Sequence, residues 1–205
     1  MFALGAAKEL GLFLQKADAA AFGMGARTGG GTTRLAECLL SAFKGTLVID
    51  ADGLNTLANN PELLERDRKC RVILTPHPGE MARLAGVCVA DVQGARETCA
   101  KEFAKKTNTV VMLKGEKTVI SDGKTVLVNP TGNVGMATGG SGDVLSGIIA
   151  SLAGQGLSSL ESAACGAYLH GLAGDIAVKD KTEFGLIAGD LIEYLPRAFY
   201  AVLNS

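Results

Sequence analysis

The sequence contains no tryptophan, and aromatic residues make up only 5% of its 205 positions. Its five cysteines form an odd set without a C-x-x-C pair, so neither a disulfide framework nor a zinc site is indicated. The longest apolar stretch, Val144 to Ala153, is far shorter than the roughly 20 residues of a spanning helix. These absences argue against a membrane protein and predict a protein of a reducing compartment.

Charge of one sign is also lacking, because 20 basic residues face 21 acidic ones and the net charge is -1. No basic surplus exists to neutralise a run of phosphates, so nucleic acid is not expected as a partner. The stretch Met1–Leu14 has no basic start and is interrupted by Lys8 and Glu9, which does not fit a signal peptide. We therefore expect a cytoplasmic protein with one domain over residues 1–205, since domains average roughly 150 residues.

Glycine is abundant, with 27 residues or about twice its usual share of roughly 7%. This excess predicts close backbone packing and ligand sites built from backbone amides.

The first half of the chain alternates between strand-like and helix-like patterns. The strand patterns cover Ala19–Gly23, Thr46–Asp50, Arg71–Thr75 and Thr109–Leu113. The helix patterns cover Arg34–Phe43, Leu54–Glu65, Pro78–Ala85 and Val92–Thr107. Such βαβ alternation predicts an α/β fold with a mainly parallel sheet covered on both faces.

The second half begins with a predicted β-hairpin. Thr118–Ser121 and Thr125–Val128 flank Asp122-Gly123, a pair typical of tight turns in which both residues have positive φ. Two further helices are predicted, one from the Ser158/Glu161 capping box to about Lys179 and one over Ala188–Leu203.

A glycine-rich loop precedes an apolar helical run within Asn129–Ala153. Gly139, Gly140 and Gly142 would lie at the helix N-terminus, where free amides and the macrodipole favour an anion. Asp143 in the first turn either complements the dipole or accepts a proton from an attacking hydroxyl. A plain tight turn is the alternative reading of this loop.

Three other segments follow predicted strands, at the edge where open α/β sheets bind ligands. In Thr75–Glu80, two prolines hold His77 extended, either for contact with a substrate or metal or as a structural turn. Asp50 and Asp52 suit either a polyphosphate–metal complex or ordinary turns and caps, and we favour a turn or cap for Asp50. Lys114–Thr118 suits either a nucleotide or, as favoured from composition alone, a charged hairpin entry.

Two further features give only weak indications of a functional site. Gly23–Thr28 lacks the third glycine of a dinucleotide fingerprint. His170 lies among small helical residues, which favours a packed structural histidine over a ligand.

Five segments together resemble one family in order and spacing: FGMGAR, DADGLN, TPHPGE, LKGEKTVI and NPTGNVGMATGGSGDVLSGIIASL. They resemble the ADP/ATP-dependent NAD(P)H-hydrate dehydratases, a branch of the ribokinase-like fold, from about Ala17 to the C-terminus. The resemblance implies a three-layer α/β/α domain with a mainly parallel sheet and a β-hairpin. It also implies a homo-oligomer, such as a tetramer.

The family repairs NADH or NADPH whose nicotinamide ring has been hydrated. The resemblance implies that the ring hydroxyl attacks the terminal phosphate of ADP or ATP, with Mg²⁺ present, and that elimination of the phosphate ester restores NAD(P)H. It makes Asp143 the base and assigns the backbone amides of Gly140, Ser141 and Gly142 to the transferring phosphoryl group.

The resemblance also implies the binding residues. Gly25, His77, Asn133 and Asp143 would contact the hydrated dinucleotide. Lys114, Gly115, Glu116, Lys117, Thr118 and Gly142 would hold the adenine nucleotide. Glu80 would help to bind Mg²⁺, directly or through water.

Two departures from the family pattern stand out. Arg27 occupies the position of the last glycine of the family's GPGLG motif, and the family domain begins well before this chain does. Two alternative functions therefore stay open: a small-molecule kinase of the same fold, and a short form that binds a nucleotide without turnover.

Overall fold

The computed structural model describes residues 13–204, which form a six-stranded mixed sheet. The strands follow one another in chain order across the sheet, and β1 to β4 are parallel while β5 and β6 form an antiparallel hairpin. Their bounds are Ala19–Phe22 (β1), Thr46–Ile49 (β2), Arg71–Leu74 (β3), Val110–Leu113 (β4), Val119–Ser121 (β5) and Val126–Val128 (β6). The predicted strands are thus confirmed, each ending within a residue or so of its expected position.

Helices connect the parallel strands and follow the hairpin. In chain order they are Gly30–Ala42 (α1), Asp52–Asn59 (α2), Glu62–Glu65 (α3), Pro78–Ala85 (α4), Val89–Gly94 (α5), Arg96–Thr107 (α6), Ser141–Gly154 (α7), Ser159–Gly185 (α8) and Ala188–Leu203 (α9). A 3₁₀ turn over Val134–Met136 precedes α7. The bounds predicted for α4 and α9 are confirmed, as is the Ser158/Glu161 capping box that starts α8.

Two predicted helices are each divided in the structure. The segment Leu54–Glu65 is interrupted after Asn59, because Asn60 leaves the helical region and Pro61 begins a new short helix. The segment Val92–Thr107 divides at Ala95, whose φ of -144° is extended, and its first part begins earlier, at Val89.

The hairpin turn also differs from the prediction. Ser121 pairs with Val126, so the loop has four residues, one more than the predicted strand bounds leave. Gly123 has a φ of 86°, whereas Asp122 is not left-handed; its carboxylate instead accepts the amides of Lys124 and Thr125. This side-chain turn replaces the expected pair of positive-φ residues.

Alternating strand residues build the two helix-covered faces of the sheet. Leu47 and Ile49 of β2 belong to a core with α1 to α6, whereas Val48 between them packs with α7 and α8. A third cluster joins α7, α8 and α9, so α9 packs on these helices rather than on the sheet. Buried residues on both faces give three layers, with α9 outside them.

None of the helices within residues 13–204 combines the length and apolar character needed to cross a membrane. The stretch Met1–Leu14, which we expect not to be a signal peptide, lies largely outside the described residues.

The parallel register brings the carboxyl ends of β1 to β4 to one edge. There the turns after β1 and β2 touch through their backbones: Gly23 packs against the carbonyl of Asp50 and the amide of Gly53. This contact requires glycine, because a Cβ at position 23 would lie 2.0 Å from the Asp50 oxygen.

We expect Gly23→Ala to destabilise the protein far more than Gly25→Ala. Both glycines have positive φ, 120° and 65°, but a Cβ at position 25 would meet nothing within 4 Å. The free energy of unfolding should fall by about 3–5 kcal/mol for Gly23→Ala and by about 1 kcal/mol for Gly25→Ala, because only the first adds overpacking to backbone strain. Urea unfolding of both variants provides the measurement, and equal losses would contradict the close approach.

Candidate functional site

A cavity of about 870 Å³ opens at the carboxyl edge of the sheet. This volume lies in the range of small-molecule sites. Among the predicted site residues, its lining includes His77, Lys114, Gly115, Glu116, Lys117, Thr118, Asn133, Ser141 and Gly142. Segments that follow β3, β4 and β6 therefore converge on one space.

The N-terminus of α7 forms one wall of the cavity. Gly140 takes the left-handed conformation with a φ of 86°, and no side chain caps the helix. The Ser141 amide donates to the carbonyl of Thr138 at 3.3 Å, so the amides of Gly142 and Asp143 are the ones left for an anion, in the manner of helix N-termini that bind phosphate. Ser141 and Gly142 face the cavity, whereas Gly140 and Asp143 are exposed and do not line it.

His77 is the N-cap of α4. Its Nδ1 accepts the amides of Gly79 and Glu80 at 3.0 and 3.3 Å. Because Nδ1 acts as the acceptor, the neutral ring carries its proton on Nε2. The half-exposed His77 side chain can therefore donate a hydrogen bond to a ligand oxygen in the cavity.

Glu80 completes the same cap. Its Oε2 accepts the amide of His77 at 2.8 Å and lies 4.0 Å from Lys114 Nζ. The side chain is 7% exposed and does not line the cavity. Among residues 13–204, no group of three or more His, Cys, Asp or Glu side chains converges on a point.

Asp50 begins a turn, as predicted, since its carbonyl accepts the amide of Gly53 at 2.9 Å, but its side chain is not a helix cap. No side chain caps α2, and the Asp50 carboxylate points to a different part of the molecule: Oδ1 accepts Lys114 Nζ at 2.7 Å and Oδ2 accepts Ser146 Oγ at 3.0 Å. The next residue, Ala51, has φ 48° and ψ -119°. A non-glycine residue in this conformation carries strain of about 1–3 kcal/mol.

The loop over Lys114–Thr118 is held by Arg96, a residue that the sequence did not indicate. The guanidinium of Arg96 donates to the carbonyls of Leu113 and Lys114 and packs against Gly115, whose φ is 141°. Burial lowers the pKa of Arg96, although the group stays protonated at any ordinary pH. This contact holds the loop in place. The sequence alone had left two interpretations of this loop open, a nucleotide site and a charged hairpin entry.

Gly25 lies away from the cavity, in the turn after β1. Arg27 in the same turn has a φ of 57°, so the residue in the family's glycine position adopts the left-handed backbone that glycine favours. Its amide donates to Asp52 Oδ2 at 2.8 Å. The turn thus keeps this conformation without the glycine.

The segment over 129–138 supplies lining residues that the sequence did not single out, among them Asn129 and Thr131. Asp175 of α8 holds this segment, since its carboxylate accepts the amide of Gly132 and the side chain of Asn133, both at 2.9 Å. Nothing in the spacing of Asp175, 42 residues from Asn133, points to this pairing.

His170 is buried, as predicted for a structural histidine, and it also lines the cavity. Its Nε2 donates to the carbonyl of Ser141 at 3.0 Å, which ties α8 to the start of α7. Burial lowers the pKa of His170 from 6.5 to about 4, and the Lys114 ammonium adds to the lowering. His170 is therefore neutral near pH 7.

Comparison with known proteins gives a consistent result. The chain matches the family described as NAD(P)H-hydrate dehydratase over residues 5–197. It is 48% identical over 185 residues to the bifunctional NAD(P)H-hydrate repair enzyme Nnr of Moorella thermoacetica, with 89% of this chain and 34% of that protein aligned. It is 45% identical over 149 residues to the ADP-dependent (S)-NAD(P)H-hydrate dehydratase of Neisseria meningitidis, with 71% and 50% aligned.

Among solved structures, the ADP/ATP-dependent NAD(P)H-hydrate dehydratase from Bacillus subtilis, co-crystallised with ATP/Mg²⁺, superposes with a TM-score of 0.80. The sequence identity is 32%, and the match covers 90% of this chain and 64% of that one. The expected three-layer fold is confirmed. The chain spans a third to a half of the length of the two curated relatives.

We expect the buried His170 to make stability depend on pH between about 6.5 and 4. The unfolded chain binds a proton at this histidine below its ordinary pKa of 6.5, whereas the folded chain does so only near pH 4. The contribution is therefore complete above pH 6.5 and is lost as the pH falls, by roughly 3 kcal/mol at pH 4.

The free energy of unfolding, measured in urea at pH 7.0, 5.5 and 4.5, tests this for the wild type and His170→Gln. The variant should lose less stability over this interval, while carboxylates such as Asp122, whose pKa is lowered by backbone amides, contribute equally to both proteins. Identical slopes would show that His170 is not held neutral.

Proposed function

The chain belongs to the family of NAD(P)H-hydrate dehydratases, and from that premise we propose that it restores NADH or NADPH from the (S)-hydrate in an ADP- or ATP-dependent dehydration. The proposal rests on the observation that the Lys114–Thr118 loop and the uncapped start of α7 line the same cavity. The resemblance predicted both elements as the nucleotide and phosphoryl sites of this reaction.

In this proposal the adenine nucleotide occupies the part of the cavity between the Lys114–Thr118 loop and the start of α7, and the part lined by His77 and Asn133 is left to the substrate. The Lys114–Thr118 loop supplies a lysine ammonium and backbone amides for its phosphates, and Arg96 keeps the loop in place from behind. The terminal phosphate then lies at the N-terminus of α7, where the amides of Gly142 and Asp143 stabilise the charge of the transferring group, while the Ser141 amide, also predicted for this role, donates to the Thr138 carbonyl.

Asp143 acts as the base in this proposal. It follows the cavity-lining Ser141 and Gly142 in the first turn of α7 but stands outside the cavity. This position suits an in-line transfer, in which the acceptor hydroxyl approaches the phosphorus from the side opposite the leaving nucleotide. The hydrated dinucleotide would thus lie on the open side of α7.

The proposed chemistry has two steps. In the first step, Asp143 accepts the proton of the ring hydroxyl while the hydroxyl oxygen attacks the terminal phosphorus. The bond from this phosphorus to the rest of the nucleotide breaks. The ring-nitrogen lone pair then expels inorganic phosphate by breaking the C–O bond, and loss of a ring proton restores the double bond of NAD(P)H.

Three residues remain proposed contacts of the hydrated dinucleotide. His77 presents its Nε2–H, and Asn133 is oriented by Asp175. Gly25 lies in the turn after β1, at the same edge of the sheet.

Magnesium enters the proposal with the nucleotide, because Mg²⁺ is usually held by substrate phosphates, waters and one or two carboxylates. Glu80 stays a prediction as its helper, since the α4 cap already engages its carboxylate. The cytoplasmic location and the homo-oligomer likewise remain expectations.

Turnover of hydrated NADPH with Mg²⁺ and either ADP or ATP tests the proposal directly. We expect recovery of the reduced-nicotinamide absorbance with at least one nucleotide. Asp143→Asn should lower kcat by about 10²–10⁴-fold, which is the usual contribution of a general base. Asp67→Asn serves as the matched control, because Asp67 is an exposed aspartate outside the cavity lining and should leave kcat unchanged.

The products separate the remaining alternatives. A stable phosphate ester without recovered NADPH would mean a small-molecule kinase of the same fold. Nucleotide binding without any turnover would mean a binding protein that has no dehydratase activity in this form.

A further inference from the structure

Asp50 forms an ion pair with Lys114, a contact that a residue serving only in a turn would not need. The Asp50 carboxylate is nearly inaccessible to solvent and accepts three hydrogen bonds, from Lys114 Nζ, the Ala51 amide and Ser146 Oγ. A buried carboxylate with both oxygens bonded is held in one orientation. This orientation faces the wall shared by the Lys114 loop and α7.

The pair lies directly against the start of α7. A Cβ at Gly142 would be 3.3 Å from Asp50 Oδ2 and 3.5 Å from Lys114 Nζ. Ser146, one turn further along α7, donates to the same Asp50 oxygen. Asp50 thus contacts α7 at two successive turns while its other oxygen holds the lysine.

Lys114 is the part of this group that reaches the cavity. Its side chain is 21% exposed and lines the cavity, whereas Asp50 does not. An ammonium has three protons, and Asp50 takes one at 2.7 Å while Glu80 Oε2 lies at 4.0 Å. The remaining N–H groups of the Lys114 ammonium can donate to a ligand in the space beside Gly142.

We propose that Asp50 is a positioning residue, which holds the Lys114 ammonium beside the α7 N-terminus so that both recognise the terminal phosphate of the nucleotide. This inference rests on the proposed function for the identity of the ligand. Asp50 acts through Lys114 and does not touch the substrate. The strained backbone at Ala51 accompanies this placement.

Binding of AMP and ADP tests the inference without turnover. Titration calorimetry in magnesium-containing buffer gives both dissociation constants for the wild type, Asp50→Asn and Asp67→Asn. We expect Asp50→Asn to leave the AMP constant within twofold and to raise the ADP constant at least tenfold, because only ADP carries a phosphate beyond the first. Asp67→Asn is the control for the same chemical change, since Asp67 is exposed and does not line the cavity, and it should leave both constants unchanged.

A purely structural role for Asp50 would weaken both nucleotides alike, and an unchanged ratio of the AMP and ADP constants would overturn the inference. So would a wild type that does not distinguish AMP from ADP. If Asp50→Asn fails to fold, Ser146→Ala replaces it, because this variant removes only the hydrogen bond to Asp50 Oδ2. Ser146→Ala should lower the ratio of the AMP to the ADP dissociation constant to a smaller extent. An unchanged ratio in this variant would also count against the inference.

A double-mutant cycle with Lys114→Met adds a second readout. If Asp50 acts through Lys114, the double variant should bind ADP no more weakly than Lys114→Met alone. Additive losses would overturn the inference. If the protein shows no turnover but the difference between its AMP and ADP dissociation constants is intact, only the proposed function is contradicted. If turnover is normal but Asp50→Asn leaves the ratio of the two constants unaltered, only the Asp50 inference is contradicted.

Discussion

The parallel register of β1 to β4 is the constraint on which the site depends. Paired strands that run in one direction end at one edge, so the turns that follow them must share that edge. The backbone amide of Lys114 even donates to the carbonyl of Pro76 across this edge, at 2.8 Å. Residues far apart in the chain are thereby brought within hydrogen-bond distance.

The start of α7 carries the carboxylate of Asp143 in its first turn, and its cation comes from another part of the chain. The α7 N-terminus has no side-chain cap, and the nearest cation belongs to a different element, Lys114. A helix end of this kind attracts an anion but cannot on its own select a particular phosphate. The neutral His170 behind Ser141 adds no charge and holds the start of α7 through its Nε2, which lies 3.0 Å from the carbonyl and 3.3 Å from the hydroxyl of Ser141.

Local patterns predicted most of the fold. The bounds of α4 follow from Pro78 at its first position and from Gly86, a left-handed residue at its C-terminus, and both features are visible in the sequence. The break at Pro61 could have been found in the same way. The break at Ala95 is also marked, because Gly94 directly precedes it, but a single glycine within an amphipathic pattern is compatible with a continuous helix and was interpreted in that way.

The site was less accessible to sequence reasoning. The family resemblance indicated the Lys114–Thr118 loop and Ser141 and Gly142 at the start of α7, and all of these line the cavity, whereas the preceding Gly140 does not. The partners of Asp50 were missed because they lie 64 and 96 residues along the chain, where no periodicity connects them. The supporting contacts of Arg96 and Asp175 escaped for the same reason.

These long separations also bear on how the protein folds. Native contacts between distant residues require large loops to close first, and chains dominated by them fold slowly. The Asp50 bonds join β2 to β4 and α7, so they can form only after most of the sheet is in place. The phosphate-recognition geometry would therefore be among the last features to appear during folding, and its presence would report a fully assembled domain.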